Sequence, residues 1–175
     1  MPVKFMNAGR CVAHVFAGAV LAAAAAAHAG TVQPEVGFAY GTGAGFGDTH
    51  DAGMLQWGVG YYFDNGIGVR ALGFGDIDPF QDWEITQRTV SSFVGVQLMD
   101  QIPLDTHWSA TIGAGMGQTR YNLPTDSTEA SSGTDGVVTA GIQWRPGRHY
   151  AMSLQYTYLT TSGVAATSLL FQVPF

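Results

Sequence analysis

Apolar and polar side chains alternate at a period of two along most of the chain beyond residue 30. In residues 53–63 every second position is bulky and apolar: Leu55, Trp57, Val59, Tyr61 and Phe63. The last nine residues, TSLLFQVPF, continue this alternation and end on an aromatic side chain, Phe175. A period of two places alternate residues on opposite faces of a β-strand. The pattern therefore predicts strands that each carry one fully apolar face.

Segments with this alternation recur eight times, separated by turn residues. The predicted strands cover about 31–45, 53–63, 67–75, 86–99, 107–121, 136–145, 150–160 and 165–175. Short turn signals follow the second, fourth and sixth of them: DNG at 64–66, DQIPLD at 100–105 and RPGRH at 145–149. Asn and Gly in DNG tolerate a positive φ, which predicts a tight hairpin there.

The remaining connections are longer, except for a short one near 161–163. They cover 46–52, 76–85 and 122–135, and they are acidic through Asp48, Asp51, Asp76, Asp78, Asp82, Glu84, Asp126, Glu129 and Asp135. An even number of strands, with short turns at one end and long loops at the other, is typical of outer-membrane barrels.

The composition of the two faces indicates which solvent each face meets. One face is bulky and apolar, whereas the other carries mainly Gly, Ser, Thr and Gln. The polar face of a soluble barrel would normally carry Lys and Glu, yet no Lys follows Lys4. Small side chains fit the narrow interior of an eight-stranded barrel, so the bulky face is predicted to meet lipid. The predicted fold is all-β, an eight-stranded antiparallel up-and-down transmembrane β-barrel.

The first 29 residues have a different character. Lys4 and Arg10 precede the uncharged run CVAHVFAGAVLAAAAAA, and the small-residue sequence AHA follows at its end. This three-part pattern predicts a cleaved secretory signal peptide at 1–29 and a barrel domain at 30–175. A transmembrane helix is the alternative, and it is disfavoured because nothing basic follows the run. Cys11 lies inside the leader, so no disulfide is expected in the barrel.

Charge excludes one class of partner. The formal net charge is −6, and removing the leader with its two cations makes the chain more acidic. Nucleic-acid binding requires a basic footprint, so no nucleic-acid partner is expected. The sequence GTGAGFG at 41–47 resembles a phosphate loop but lacks a Lys and a following helix. No cofactor is expected.

Strand parity assigns the polar residues of the lumen and the aromatic residues of the outer surface. Inward positions give a polar lumen network: Glu35, Arg70, Arg145, Gln97 and Gln143. A buried ion needs a partner, so Glu35 is predicted to pair with Arg70 or Arg145. Outward positions give aromatic girdles at the membrane interfaces: Trp57, Phe63, Trp108, Trp144, Tyr156, Tyr158 and Phe175.

Two segments and the chain end carry a family resemblance. They are VSSFVGVQLMDQIPLDTHWSATIGAGMGQTRY, GIQWRPGRHYAMSLQYTYL and the final Phe. In these the chain resembles the small outer-membrane β-barrels related to the OmpA transmembrane domain, without the peptidoglycan-binding domain. The resemblance implies an outer-membrane location, contact with outer-membrane lipid and lipopolysaccharide, and assembly machinery that recognises Phe171 and Phe175. We expect a monomer.

Three functional interpretations follow from the sequence. The preferred one is a structural, adhesive or surface-interaction role of the loops, with a lumen too full for a porin and with Phe80 and Trp83 as loop contacts. The second is a lipid A-modifying hydrolase, since the tail resembles that of lipid A deacylases. It is disfavoured because the expected His-x-Ser reads Gln155-Tyr156-Thr157. The third is a secreted soluble ligand-binding barrel.

The first long loop contains one candidate metal site. His50 lies beside Asp48 and Asp51 there, and three such residues on a Gly-rich loop are usually only solvated. The sequence therefore predicts no metal centre and no catalytic residues.

Overall fold

The computed structural model describes residues 30–43, 52–76, 89–123 and 127–175. Within these ranges eight antiparallel strands close into one barrel, in which each strand pairs with its chain neighbours and β8 pairs with β1. This arrangement confirms the predicted fold class. The strands are β1 Gly30–Gly43, β2 Ala52–Phe63, β3 Ile67–Asp76, β4 Thr89–Pro103, β5 Trp108–Asn122, β6 Ser132–Trp144, β7 Ala151–Leu159 and β8 Val164–Gln172. The described ranges contain no helix long and apolar enough to cross a membrane.

Two strands are longer than the sequence pattern predicted. β4 continues through most of DQIPLD to Pro103, and β6 begins at Ser132 rather than at 136. The turn after β4 is made instead by Asp105, whose side-chain oxygen accepts hydrogen bonds from the backbone amides of His107 (2.6 Å) and Trp108 (2.8 Å). Local side-chain bonding of this kind is a common way for Asp to close a turn.

The DNG hairpin differs in detail from its prediction. Only Gly66 has a positive φ, of 86°, and the amide of Gly66 donates to the carbonyl of Phe63 at 2.9 Å. Asn65 contributes through its side chain, which accepts a hydrogen bond from the amide of Ile67 at 3.1 Å. The turn therefore needs glycine at one position and a side-chain acceptor at the other.

A bulge in β4 reverses one predicted orientation. Alternation placed Val90 on the outer face with Val94, Val96 and Leu98, but the β4–β5 register shifts between Val90 and Ser92. The extra residue changes the parity of the pleat, so Val90 turns inward and is buried. A bulge is not visible in a period-two pattern.

Glycines of β5 allow close packing against β4. A Cβ added at Gly115 would overlap the carbonyl oxygen of Val96 and lie 2.7 Å from the Cα of Gln97. Because both contacts are with backbone atoms, no side-chain rotation relieves them. The approach of the two strands therefore depends on glycine at this position.

We predict that Gly115→Ala destabilises the barrel. The added methyl group forces β4 and β5 apart, and overpacking of this kind costs about 1–3 kcal/mol. The free energy of unfolding in urea, followed by heat-modifiable gel mobility, measures the effect.

Gly53→Ala is the matched control. Gly53 is exposed in β2, and a Cβ added there meets nothing within 4 Å. Equal unfolding free energies for the two variants would show that the β4–β5 contact does not limit stability.

Candidate functional site

The turn-side half of the lumen contains a buried ion pair between β1 and β3. The Nε atom of Arg70 donates to Oε1 of Glu35 at 2.6 Å, and the Nη2 atom of Arg70 contacts the same oxygen. Arg70 has no exposed surface. The intervening strand β2 makes room through Gly58, where a Cβ would lie 2.6 Å from Glu35 Oε1. The Glu35 partner is thus Arg70, and the alternative Arg145 lies elsewhere.

Glutamine side chains extend this pair across the barrel. Glu35 Oε2 accepts from Gln172 Nε2 at 2.9 Å, and Gln172 Oε1 accepts from Gln143 Nε2 at 2.7 Å. Gln101 Nε2 lies 3.3 Å from Gln33 Oε1 and 3.4 Å from Gln143 Oε1. Strands β1, β3, β4, β6 and β8 therefore share one hydrogen-bonded network. Gln33 and Gln101 were not assigned to it from the sequence, although strand parity alone places Gln33 inside.

A second polar layer crosses the middle of the lumen. Gln97 Nε2 donates to Thr139 Oγ1 at 2.8 Å, and the hydroxyls of Thr139 and Thr157 lie 3.2 Å apart. On the opposite wall, the hydroxyl of Ser168 donates to Oε1 of Gln56 at 2.5 Å. All five side chains are buried, so these hydrogen bonds lie inside the lumen.

The loop-side half of the lumen is mainly apolar. Eleven buried residues form its cluster: Ala39, Met54, Leu72, Phe74, Val90, Phe93, Tyr121, Val137, Leu159, Val164 and Ala166. The rings of Phe74 and Phe93 stack at its centre with centroids 5.2 Å apart. The sequence interpretation treated the inner face as polar and small, and it missed this layer. Each strand contributes only one or two members near its loop end, which is too short a run to break the overall pattern.

Asp135 closes the loop end from inside. It was grouped with the acidic loop residues, but it lies in β6 and is fully buried. Its carboxylate accepts from the amide of Thr161 at 2.7 Å, the amide of Ser162 at 3.1 Å and the hydroxyl of Thr119 at 3.1 Å. Asp135 therefore anchors the β7–β8 turn and is not available to a partner outside.

The turn-side mouth opens into a cavity of about 360 Å³. Arg145, predicted to belong to the lumen network, is half-buried at this cavity, and its backbone amide donates to the carbonyl of His107 at 2.7 Å. It does not pair with Glu35 because it lies beyond the end of β6, at the mouth of the barrel. The residues that line the cavity come from the three turn-side connections and the adjoining strand ends: Thr31, Tyr62, Phe63, Asp64, Asn65, Gly66, Gln101, Pro103, Asp105, Thr106, His107, Ser109 and Arg145.

The outer surface carries aromatic side chains at both ends of the barrel. Those near the turns are Phe63, Trp108, Trp144, Tyr150 and Phe175, and those near the loops are Tyr40, Tyr156 and Tyr158. Trp108 and Trp144 are cross-strand partners with ring centroids 6.3 Å apart. Trp57 is the exception among the predicted girdle residues. It lies midway along β2, where its ring covers the outer side of Gly73.

The last strand closes the barrel. β8 pairs with β1 from Glu35↔Gln172 to Gly43↔Val164, and beyond this ladder the amide of Phe175 donates to the carbonyl of Val32 at 2.9 Å. Phe171 and Phe175 are both exposed on the outer surface. The predicted loop contacts Phe80 and Trp83 lie outside the described residues. The candidate metal ligands on the first long loop, Asp48, His50 and Asp51, also lie outside them. Among the described residues no group of three or more His, Cys, Asp or Glu is arranged to hold a metal ion.

The positions compared with a hydrolase motif face the lumen. Gln155 donates to Ser153 at 3.2 Å, and Thr157 is buried beside Thr139. Between them only Tyr156 faces outward. A nucleophile and base acting on lipid would have to lie on the outer surface or the rim. The geometry of this segment gives the hydrolase interpretation no support.

Comparisons with known proteins agree with the fold. The family model of the outer membrane protein beta-barrel domain matches residues 14–173. The comparison with curated proteins gives no match.

Three solved structures illustrate the similarity. The N-terminal barrel of Pseudomonas aeruginosa OprF is 15% identical, with a TM-score of 0.59 over 83% of this chain and 99% of that one. A de novo designed transmembrane β-barrel is 13% identical, with a TM-score of 0.57 over 84% and 97%. Ail, the attachment invasion locus protein of Yersinia pestis, is 17% identical, with a TM-score of 0.54 over 84% and 99%. At these identities the structures share the fold alone.

Proposed function

The chain belongs to the outer membrane protein beta-barrel domain family, and we propose that it serves as a non-conducting scaffold that presents acidic loops at the cell surface. The outward apolar face and the family place the barrel in the outer membrane. In such barrels the short turns face the periplasm and the longer loops face outward.

The apolar cluster in the loop-side half of the lumen carries the proposal that the barrel does not conduct. An ion crossing the lumen would leave water for a layer lined by Phe74, Phe93 and Leu72, whose side chains cannot replace its hydration shell. The buried carboxylate of this half, Asp135, is already hydrogen-bonded to the Thr119 hydroxyl and to the β7–β8 turn. Below this layer lies the buried Arg70–Glu35 pair. Eight strands enclose only enough space for side chains, which agrees with both observations.

The charge of the loops indicates the chemistry of their partner. The connections 44–51, 77–88 and 123–131 contain seven carboxylates and one arginine: Asp48, Asp51, Asp78, Asp82, Glu84, Asp126, Glu129 and Arg88. Such a surface favours a cationic partner or one bridged by divalent cations. Ail has been crystallised with the heparin analogue sucrose octasulfate. Without bridging divalent cations, a polyanion of that kind would be repelled by these loops, so we propose a cationic partner.

We expect the reconstituted barrel to give no steady current steps in a planar lipid bilayer. The reason is the dehydration cost at the apolar cluster. Single-channel recording in potassium chloride measures this directly. The double variant Phe74→Ala and Phe93→Ala is the comparison, because it removes the stacked rings and should introduce measurable leak. Regular, uniform steps from the unmodified protein would contradict a non-conducting barrel.

The same geometry supports the remaining partners that we propose. Lipid and lipopolysaccharide contact the outer belt, and the exposed Phe171 and Phe175 on the closing strand suit recognition by the assembly machinery. We propose a monomer, because the β1–β8 pairing closes the barrel and leaves no strand edge for a second copy. The outward apolar belt gives a soluble ligand-binding barrel no support.

A further inference from the structure

The cavity at the turn-side mouth is lined by charged side chains that take no part in the lumen ion pair. Arg145 lines this cavity, and its guanidinium has no ion-pair partner within the described residues. Asp64 and Asp105 line the same cavity. Opposite charges thus share one small space without forming a salt bridge with one another.

The two carboxylates that line the cavity, those of Asp105 and Asp64, differ in their surroundings. Hydrogen bonds from the backbone amides of His107 and Trp108 keep the pKa of Asp105 below its usual value, so this group remains ionised at neutral pH. One of its oxygens is engaged by those amides, and the other is available at the exposed turn. Asp64 is exposed at the tip of the neighbouring turn.

The lining between these charges is polar. Gln101, Ser109 and Thr31 supply amide and hydroxyl groups, and the smaller apolar part of the lining comes from Tyr62, Phe63 and Pro103. A volume of about 360 Å³ lies at the small end of the range for ligand sites. This combination suits a compact, polar ligand better than a lipid chain.

We propose that the turn-side mouth binds a small zwitterion, namely an amino acid or short peptide with a free carboxylate and a free ammonium group. The carboxylate pairs with Arg145, and the ammonium group pairs with Asp64 or Asp105. A simple anion would meet two repelling carboxylates, and a simple cation would leave Arg145 unpaired. A ligand that carries both charges can pair with both kinds of charged side chain in the lining. This site faces the periplasm and is separate from the loop surface.

Dialanine tests the proposal on the folded barrel in nanodiscs. Backbone amide shifts of Gly66, His107 and Ser109 are followed by NMR during titration with dialanine, N-acetyl-dialanine and dialanine amide. We expect saturable millimolar binding of dialanine, and binding weakened by up to about fivefold when either end is capped, since each cap removes one partly exposed ion pair. Equal binding of all three peptides, or no shift with any of them, would overturn the proposal.

Variants at two arginines of one turn assign the carboxylate contact. Arg145→Gln should bind dialanine and dialanine amide equally, whereas Arg145→Lys should retain the preference for the free carboxylate. Arg148→Gln is the matched control, because Arg148 is exposed on the same turn but does not line the cavity. If Arg148→Gln abolishes the preference as fully as Arg145→Gln does, the cavity is not the site.

Discussion

Replacing Glu35 by alanine is expected to lower the free energy of unfolding by about 3–5 kcal/mol, the usual cost of removing one partner from a buried ion pair. Arg70 has no exposed surface, and in this variant its charge would stay inside the lumen without a carboxylate. Gln172 would lose its acceptor at the same time. Urea unfolding of the reconstituted barrel, followed by heat-modifiable mobility, measures the loss.

A double variant separates the charge from the packing. Glu35→Leu with Arg70→Met removes both charges and keeps apolar volume, and replacements of this kind are often neutral or stabilising. It should therefore recover most of the stability lost in Glu35→Ala. A double variant as unstable as the single one would mean that the hydrogen bonds to Gln172, rather than charge pairing, stabilise this part of the lumen.

Replacing Phe93 by alanine is expected to cost a similar amount, about 3–5 kcal/mol, as in other buried Phe→Ala substitutions. Phe93 is completely buried at the centre of the apolar cluster and stacks on Phe74. Its removal leaves a cavity that the rigid barrel wall cannot collapse to fill. The same unfolding measurement applies.

Phe38→Ala is the control for this substitution. Phe38 has a similar size but points outward, with 68% of its surface exposed to the membrane. Lipid chains fill the space left by its truncation, so the loss should be clearly smaller. If both variants lose the same stability, apolar packing inside the lumen contributes no more than contact with lipid.

The sequence predicted the architecture because a barrel wall repeats one simple constraint. Every strand must alternate lipid-facing and lumen-facing residues, so the period of two is visible in each of them. Parity alone placed Gln97 and Gln143 inside, where the structure has them buried. Parity failed at Val90, because one bulged residue reverses the orientation of its neighbours.

The candidate site was less predictable, since it depends on contacts between strands distant in the chain. Alternation places Glu35, Arg70 and Arg145 on the inner side, but their height along the barrel follows from the register of the strands. That register brings Arg70 to Glu35 and leaves Arg145 at the mouth. Asp135 shows the same limit. The sequence alone assigns it to an acidic loop, whereas the β5–β6 pairing places it in a strand with its side chain inside the lumen.

The sequence by itself therefore determined the eight strands and the face that meets lipid, because both depend on residues near one another in the chain. Only the tertiary structure decided the partner of Glu35, the apolar cluster in the loop-side half of the lumen and the charged cavity at the turn-side mouth. Each of those features combines side chains from several strands. The stagger between strands selects which inward residues meet, and no single strand's alternation specifies it.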